Sequence, residues 1–478
     1  MLQVEKLDRL ECARDAQIEG GLAGWPLAGL SLAMLMPSLA TSATNMALPH
    51  LSREFGISFQ SAQWIVLSYL LTVTSMVVSA GRIGDMIGRR RLMLGGIAIF
   101  TLASAFCAVA PTFGVLVIAR LVQGGGAAIM MALTMAFVGD VVPAARTGRA
   151  MGLLGAMSAA GTTLGPALGG MLIGWAGTSM IFLVNVPIGL LTFLLLHRAL
   201  PMAKCVAAKD SAKGFDLPGL ALMTVALTAC TLALTIGHGD FGWRNIGLLS
   251  AAIATAMMFL VVEGRVASPL IRLGLFRSPV IRSSLGTSVL VSSVMMTTLI
   301  VGPFYLSDAL GLGPAISGIF LSAGPLVAAL ASFPAGRCVD RFGCNHVGFV
   351  GLFALLAGCC ALICLPLSWG TAGYVAAVMT ITAGYALFQA ANNSAIMAAA
   401  DAAERGVVSA LVGLSRNLGL VMGASAMGAV FARGVGGLNV KAASPQAIAS
   451  GMHLAFTLAA ALLVAAILLG FNGRPRRD

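Results

Sequence analysis

Charge is scarce in this chain of 478 residues: Asp, Glu, Lys and Arg make up only 10% of it, against about 25% in soluble domains. With 58% hydrophobic residues and a mean hydropathy of +0.95, that scarcity excludes a soluble globular protein and places the chain in a lipid bilayer. Acids are scarcer still. Of the 17 Asp and Glu residues, Glu5, Asp8, Glu11, Asp15 and Glu19 crowd into the polar first 24 positions. The others are Glu54, Asp85, Asp140, Asp210, Asp216, Asp240, Glu263, Asp308, Asp340, Asp401, Glu404 and Asp478, and every one falls in a loop or at the edge of an apolar run. No carboxylate therefore lies at the bilayer midplane. A Gly-x4-Gly-Lys-Ser/Thr loop is missing, which argues against a nucleotide-driven pump. The five histidines, His50, His197, His238, His346 and His453, are dispersed, whereas an enzyme working at the membrane surface needs clustered His, Asp or Glu. A basic start followed directly by an apolar core is also missing, so no cleaved signal peptide is expected.

What the chain has in abundance is long apolar runs. About 20 such residues span a bilayer as a helix, and fourteen stretches qualify: 25–48, 62–80, 92–110, 113–138, 150–173, 180–196, 218–236, 246–262, 284–306, 315–335, 347–367, 373–397, 407–431 and 452–471. The third and fourth are split only by Pro111-Thr112. The runs are continuous rather than alternating, which excludes a membrane β-barrel. An even number of spans puts both termini on one side. Only Arg53, Arg244, Arg433 and Lys441 fall on the opposite side, and Arg120 and Arg416 fall within spans; all other basic residues lie on the side of the termini. The positive-inside rule makes that side the cytoplasm. It also accounts for the net charge of +12 without any nucleic-acid partner, because the basic residues are scattered over short loops. None of the nine cysteines lies in an outer loop, so no disulfide framework is expected. Cys338, Cys344 and His346 share one loop, too sparse a set to predict a metal site, and no cofactor is expected.

The sequence Gly-Arg-x-x-Asp-x-x-Gly occurs twice, as Gly81-Arg82-Ile83-Gly84-Asp85-Met86-Ile87-Gly88 and as Gly336-Arg337-Cys338-Val339-Asp340-Arg341-Phe342-Gly343. Each copy joins two apolar runs, after the second span and after the tenth. A duplicated unit of six spans would leave two extra spans, 218–236 and 246–262, between its copies. Two further segments carry a pattern. Arg120-Leu121-Val122-Gln123-Gly124-Gly125-Gly126 puts a cation inside the fourth span, about 10 Å from its outer end at ~1.5 Å per residue; a charge there needs a cavity or a partner. In the fifth span, Gly161-Thr162-Thr163-Leu164-Gly165-Pro166-Ala167-Leu168-Gly169-Gly170 repeats glycine every four residues. That lines one helix face for close approach by another helix, and Pro166 loosens the helix.

In these segments the chain resembles the major facilitator superfamily, and more narrowly its fourteen-span drug:H+ antiporter branch, over roughly residues 25–471. The loop ending Gly88-Arg89-Arg90-Arg91 is similar to motif A, the Arg120 segment to motif B, and the segment Gly161, Gly165, Pro166, Gly169, Gly170 to motif C, the exporter signature. Weaker matches follow in order: Asn45-Met46-Ala47-Leu48-Pro49, Asn185-Val186-Pro187, Phe215-Asp216-Leu217-Pro218-Gly219, Phe388-Gln389-Ala390-Ala391-Asn392-Asn393 and Arg416-Asn417-Leu418-Gly419.

The resemblance implies an all-α integral membrane protein. Two pseudo-symmetric six-helix bundles, 25–196 and 284–471, would flank a linker, 197–283, with two extra transmembrane helices, and the cytoplasmic tails would be 1–24 and 472–478. It implies a monomeric secondary transporter in the cell (inner or plasma) membrane that exports drug-like amphiphiles against protons. A dedicated metabolite exporter, a proton-independent facilitator and a transporter-like receptor are the alternatives. Asp85, Arg89 and Asp340 would latch the cytoplasmic side, with a merely solvated basic turn as the other reading. Arg120 would couple protons from a cavity-facing position or serve as a buried structural arginine. Asp308, beside Tyr305 and Ser307, is the remaining candidate for a proton site, or else an outer-loop aspartate. Asn45, Gln123, Tyr305, Gln389, Asn392, Asn393, Arg416 and Asn417 are candidates for the substrate cavity or for hydrogen bonds between helices. One departure counts: where the family often has an aspartate in the first span, five residues before Asn45, this chain has Ala40. Two intramembrane arginines and no intramembrane acid predict a mildly positive cavity suited to neutral or anionic amphiphiles.

Overall fold

A computed structural model describes residues 24–141, 147–200, 217–235, 242–266, 273–399, 405–436 and 443–472. Apolar sequence without water to bond its backbone must satisfy every N–H and C=O internally, and all the described secondary structure is helical. We number the long helices α1 (Gly24–Glu54), α2 (Phe59–Ile87), α3 (Arg89–Ala108), α4 (Phe113–Val141), α5 (Thr147–Ala176), α6 (Met180–Ala199, interrupted by a turn at Val184), α7 (Leu217–Thr235), α8 (Trp243–Glu263), α9 (Pro279–Phe304), α10 (Pro314–Phe342), α11 (Cys344–Ile363), α12 (Gly370–Ala398), α13 (Arg405–Val435) and α14 (Pro445–Asn472). Among the described residues 12 of these are long and apolar enough to cross a membrane. The other two, α2 and α5, are as long, at 29 and 30 residues.

The two Gly-Arg-x-x-Asp-x-x-Gly segments have the same backbone shape. Each runs helically to its last residue, where Gly88 (φ 98°) and Gly343 (φ 81°) end one helix and begin the next. These values lie in the left-handed region that a Cβ disfavours, so glycine is the residue the turn requires. Gly88 donates to the carbonyl of Gly84 at 3.0 Å, and Gly343 to that of Val339 at 2.8 Å. Between α3 and α4 the break falls at Pro111-Thr112.

Packing repeats the duplication. In the first half α1 packs on α5 and α6, and α4 on α2 and α3; in the second half α9 packs on α13 and α14, and α12 on α10 and α11. The equivalent crossings are built alike. Gly96 and Gly126 bring α3 and α4 into backbone contact, and Gly351 and Gly384 do so for α11 and α12. On α5, Gly161 and Gly165 meet the backbone of α1 near Leu35 and Ala43; on α13, Gly419 and Gly423 meet that of α9 at Val289 and Ser293. Small residues are what permit helices to pack this closely in lipid. The hairpin α7–α8 stands apart from both arrangements. It packs through α7 against α2 and α13, with Met223, Phe259, Ile281, Leu285, Ile396, Val408 and Leu411 forming a separate apolar cluster.

Candidate functional site

The halves meet mainly through α5 with α10, α2 with α13, and α1 with α9. The first two pairs exchange under the duplication. Among the described residues, the hydrogen bonds, ion pair and ring contacts between the halves fall at one end of the bundle, the end where α1, α5, α9 and α13 finish. Phe59 of α2 packs edge-on against Phe304 of α9 (4.8 Å between centroids) and tilted against Phe431 of α13 (5.1 Å). Each such pair contributes about 0.5–1.5 kcal/mol beyond its burial. The Gln63 amide donates to the Ala424 carbonyl at 2.9 Å, and the Ala167 N–H to the Ser322 hydroxyl at 3.0 Å. Arg53 pairs with Asp308, which also accepts from Ser307 at 2.9 Å. Asp308 sits in a π-helical turn, Tyr305–Ala309, that continues α9; such turns cluster at functional positions.

The aspartate is therefore one half of a strut between the bundles. Arg53 is 47% exposed, so the pair is worth no more than about 1 kcal/mol. Reversing either charge, by Arg53→Glu or Asp308→Arg, is expected to open this end by less than about tenfold. The double reversal should restore closure, as read by spin-label distances between the ends of α1 and α9. A double variant no more closed than the singles would remove the strut from the account.

At the opposite end, the side chain of Asp85 lies outside the described residues. Its counterpart Asp340 is exposed and, among the described residues, makes no ion pair. Arg337 and Arg341 instead lie over the rings of Phe333 and Phe342 at 4.3 and 5.3 Å. Arg89 is half-buried, and Arg90 donates to the His197 carbonyl at 2.6 Å, tying α3 to α6.

Arg120 is fully buried inside the first half. Its Nε donates to the Ile65 carbonyl at 3.0 Å, and its Nη1 donates to Gln123, whose amide donates in turn to Ser104 at 2.7 Å. The guanidinium lies 4.3 Å over the Tyr69 ring and 6.0 Å from that of Phe182. A carbonyl, an amide oxygen and two aromatic faces thus take the place of a carboxylate. Gln123 is part of this nest and is likewise fully buried. The motif C glycines lie along α1: Gly161 against Leu35, Gly165 against Ser42 and Gly169 against Ala43, while Gly170 reaches across to the backbone of Pro314 in α10. Pro166 sits within an unbroken α5, its carbonyl against Gly318. Ala40 is buried in α1.

The remaining candidates divide in two. Asn45 and Tyr305 lie near the closed end, buried, with their side-chain polar atoms unpartnered among the described residues; Gln60, in the first turn of α2, is in the same condition. On the second half, Gln389, Asn393 and Arg416 are half-buried, and Asn392 and Asn417 buried. Sequence reasoning passed over Tyr385, which stands one turn before Gln389 on the same face of α12 and within hydrogen-bonding reach of Gln389 and Ser292. The spacing of four was the available signal. It also passed over the Phe59, Phe304 and Phe431 cluster, whose members are far apart in the chain.

Comparison with known proteins places these features. The sequence model of the Major Facilitator Superfamily matches residues 30–424. The chain is 31% identical over 411 residues to the multidrug resistance protein Stp of Mycobacterium tuberculosis, covering 85% of this chain and 75% of that one. It is 26% identical over 404 residues to the riboflavin transporter RibZ of Clostridioides difficile, covering 84% and 87%. Among solved structures, a bacterial homologue of the human lysosomal transporter Spinster, in an inward-facing and unoccupied conformation, superposes with a TM-score of 0.65 at 17% identity over 95% of this chain and 97% of that one.

Proposed function

The chain belongs to the major facilitator superfamily, and from that premise we propose that it is a fourteen-span secondary exporter of hydrophobic or amphiphilic compounds, driven by proton entry. Bundles 25–196 and 284–471 would rock about a central site, with 197–283 supplying the two extra spans and both termini in the cytoplasm of a cell-membrane monomer. The observation that carries the reading is the one-ended contact between halves. Helix pairs related by the duplication, α5 with α10 and α2 with α13, close the Asp308 end, while Asp340 at the other end is exposed and makes no ion pair among the described residues. A bundle pair with one closed end and a glycine-tight, rigid interior in each half is built to exchange which end is closed. The positive-inside rule makes the closed end the outer one. Asp85, Arg89 and Asp340 would then latch the cytoplasmic end in the alternate state. The relatives named for multidrug resistance support a drug-like substrate.

A second reading has its own support. The unpartnered amides of Asn45 and Gln60 suit a ligand that offers several hydrogen bonds, and one relative is named a riboflavin transporter. A dedicated exporter of one polar-headed metabolite would use them.

Efflux from proteoliposomes under an imposed pH gradient tests the coupling. Flux that collapses when the gradient is removed is the expected result. Flux indifferent to the gradient would make the protein a facilitator, in keeping with Ala40 in place of an acid.

A further inference from the structure

Two arginines lie within the apolar lengths of this chain, and they differ in what their neighbours leave free. Arg120 is fully buried: Ile65, Gln123 and Tyr69 occupy its Nε, its Nη1 and its face, and only its Nη2 is left without a hydrogen-bond partner among the described residues. Arg416 is half-buried, and among the described residues no hydrogen bond or ion pair holds its guanidinium. It lies inside the candidate span Leu411–Val435, about 8 Å from its start at ~1.5 Å per residue. A cation at that depth is costly unless a partner or a cavity receives it.

Polar groups from two other helices converge beside it. The Tyr385 hydroxyl of α12 is within electrostatic reach of Arg416 and hydrogen-bonding reach of Gln389 and Ser292. Gln389 Oε1 is buried without a partner. Ser292 belongs to α9, and Gly419 of α13, one turn beyond Arg416 on the same face, is so close that its Cβ would meet the Ser292 Cβ at 2.7 Å. The cluster thus gathers one uncommitted cation and three neutral hydrogen-bonding side chains, with no carboxylate among the described residues.

We propose that Arg416, with Tyr385, Gln389 and Ser292, receives the anionic group of the transported amphiphile: a carboxylate, sulfonate or phosphate. The guanidinium fork matches such groups in two-point geometry, and the hydroxyls and amide complete their shell. This rests on the reading of the chain as an exporter of amphiphiles and adds the charge of the substrate and the side chain that selects it.

The test uses three naphthyl compounds that differ only in carrying a sulfonate, an alcohol or a trimethylammonium group, loaded into proteoliposomes of the full chain. Wild type is expected to export the sulfonate fastest. Arg416→Gln is expected to slow the sulfonate by about tenfold or more and to leave the alcohol within about twofold, with Arg416→Lys intermediate. If Arg416→Gln does not fold, Tyr385→Phe and Gln389→Leu carry the test, with a selective sulfonate loss of about threefold. An equal loss for all three compounds makes Arg416 structural and overturns the proposal. Wild-type export of the alcohol or the ammonium compound without the sulfonate overturns the anion site and leaves the exporter reading standing. Export of none of the three overturns that reading and the site together.

Discussion

Replacing Gly318 by alanine is expected to hold the transporter open at the Asp308 end and to cut its turnover by about fivefold to a hundredfold. A Cβ at Gly318 would fall against the carbonyl of Pro166 and 3.2 Å from the Cα of Gly170, and a Cβ at Gly170 would fall against the carbonyl of Pro314 and the Cα of Gly318. These are backbone atoms of the opposite half, so no side chain can swing aside. Overpacking of this kind costs about 1–3 kcal/mol, and because it is imposed only when α5 and α10 meet, it enters the equilibrium between closed and open ends directly; each ~1.4 kcal/mol is tenfold. Within α10 itself alanine is the better helix former by about 1 kcal/mol, so the bundles should stay folded. Gly170→Ala should behave the same way. Gly174→Ala, one turn further along α5, is the control: its Cβ would meet only a Pro314 ring carbon at 3.8 Å, an ordinary contact. Spin-label distances across α5 and α10 read the closure. If Gly318→Ala closes as fully as wild type, the glycine pair is a packing detail and the seam between halves is controlled elsewhere.

The same glycines show how far the sequence was readable. Local chemistry was legible: each Gly-Arg-x-x-Asp-x-x-Gly segment ends on a glycine that the turn needs, Pro111-Thr112 divides α3 from α4, and Gly161 and Gly165 line the face of α5 that packs on α1. Each of those follows from neighbours a few residues away. Pairings across the two halves were not legible. Gly170 stands next to the face formed by Gly161, Gly165 and Gly169, and it meets the backbone of Pro314, 144 positions away, rather than α1. The pairing of Asp308 with Arg53 joins two residues that charge counting had placed on the same side without bringing them together. Gln123 was read as a candidate for the substrate cavity or for a hydrogen bond between helices; its amide bridges Arg120 to Ser104 of α3, the second of these. Periodicity reports which residues share a face of a helix, and it is silent on which helix covers that face. The role of Asp85 rests on a side chain outside the described residues, so the latch assigned to it remains an expectation from the motif.

Arg120→Ala is the second change expected to have a large effect, and its sign separates two accounts of the residue. With Arg120 fully buried, its removal empties a nest formed by α2, α3, α4 and α6. The cation–π contact with Tyr69, desolvated as it is, is worth about 2 kcal/mol, and each hydrogen bond of a charged group about 1.5–3 kcal/mol. The Ile65 carbonyl is already bonded within its helix, whereas Gln123 Oε1 would lose the donor from Arg120. The sum, reduced by the desolvation that the guanidinium no longer suffers, comes to about 3–5 kcal/mol, large for one substitution. Arg120→Lys should recover little of it, because one ammonium cannot reach Ile65 and Gln123 in the directions of the Nε and Nη1 donors while also covering the ring of Tyr69. Heat-induced unfolding of the purified protein should therefore fall steeply in both variants and less in Gln123→Ala, which leaves the cation over its aromatic faces. If the arginine instead serves chiefly to pass the proton signal, the outcome reverses: Arg120→Ala would unfold near the wild-type temperature and lose only the dependence of efflux on the pH gradient. A guanidinium held by a carbonyl, an amide and two rings favours the first result, since nothing in that nest exchanges a proton near neutral pH.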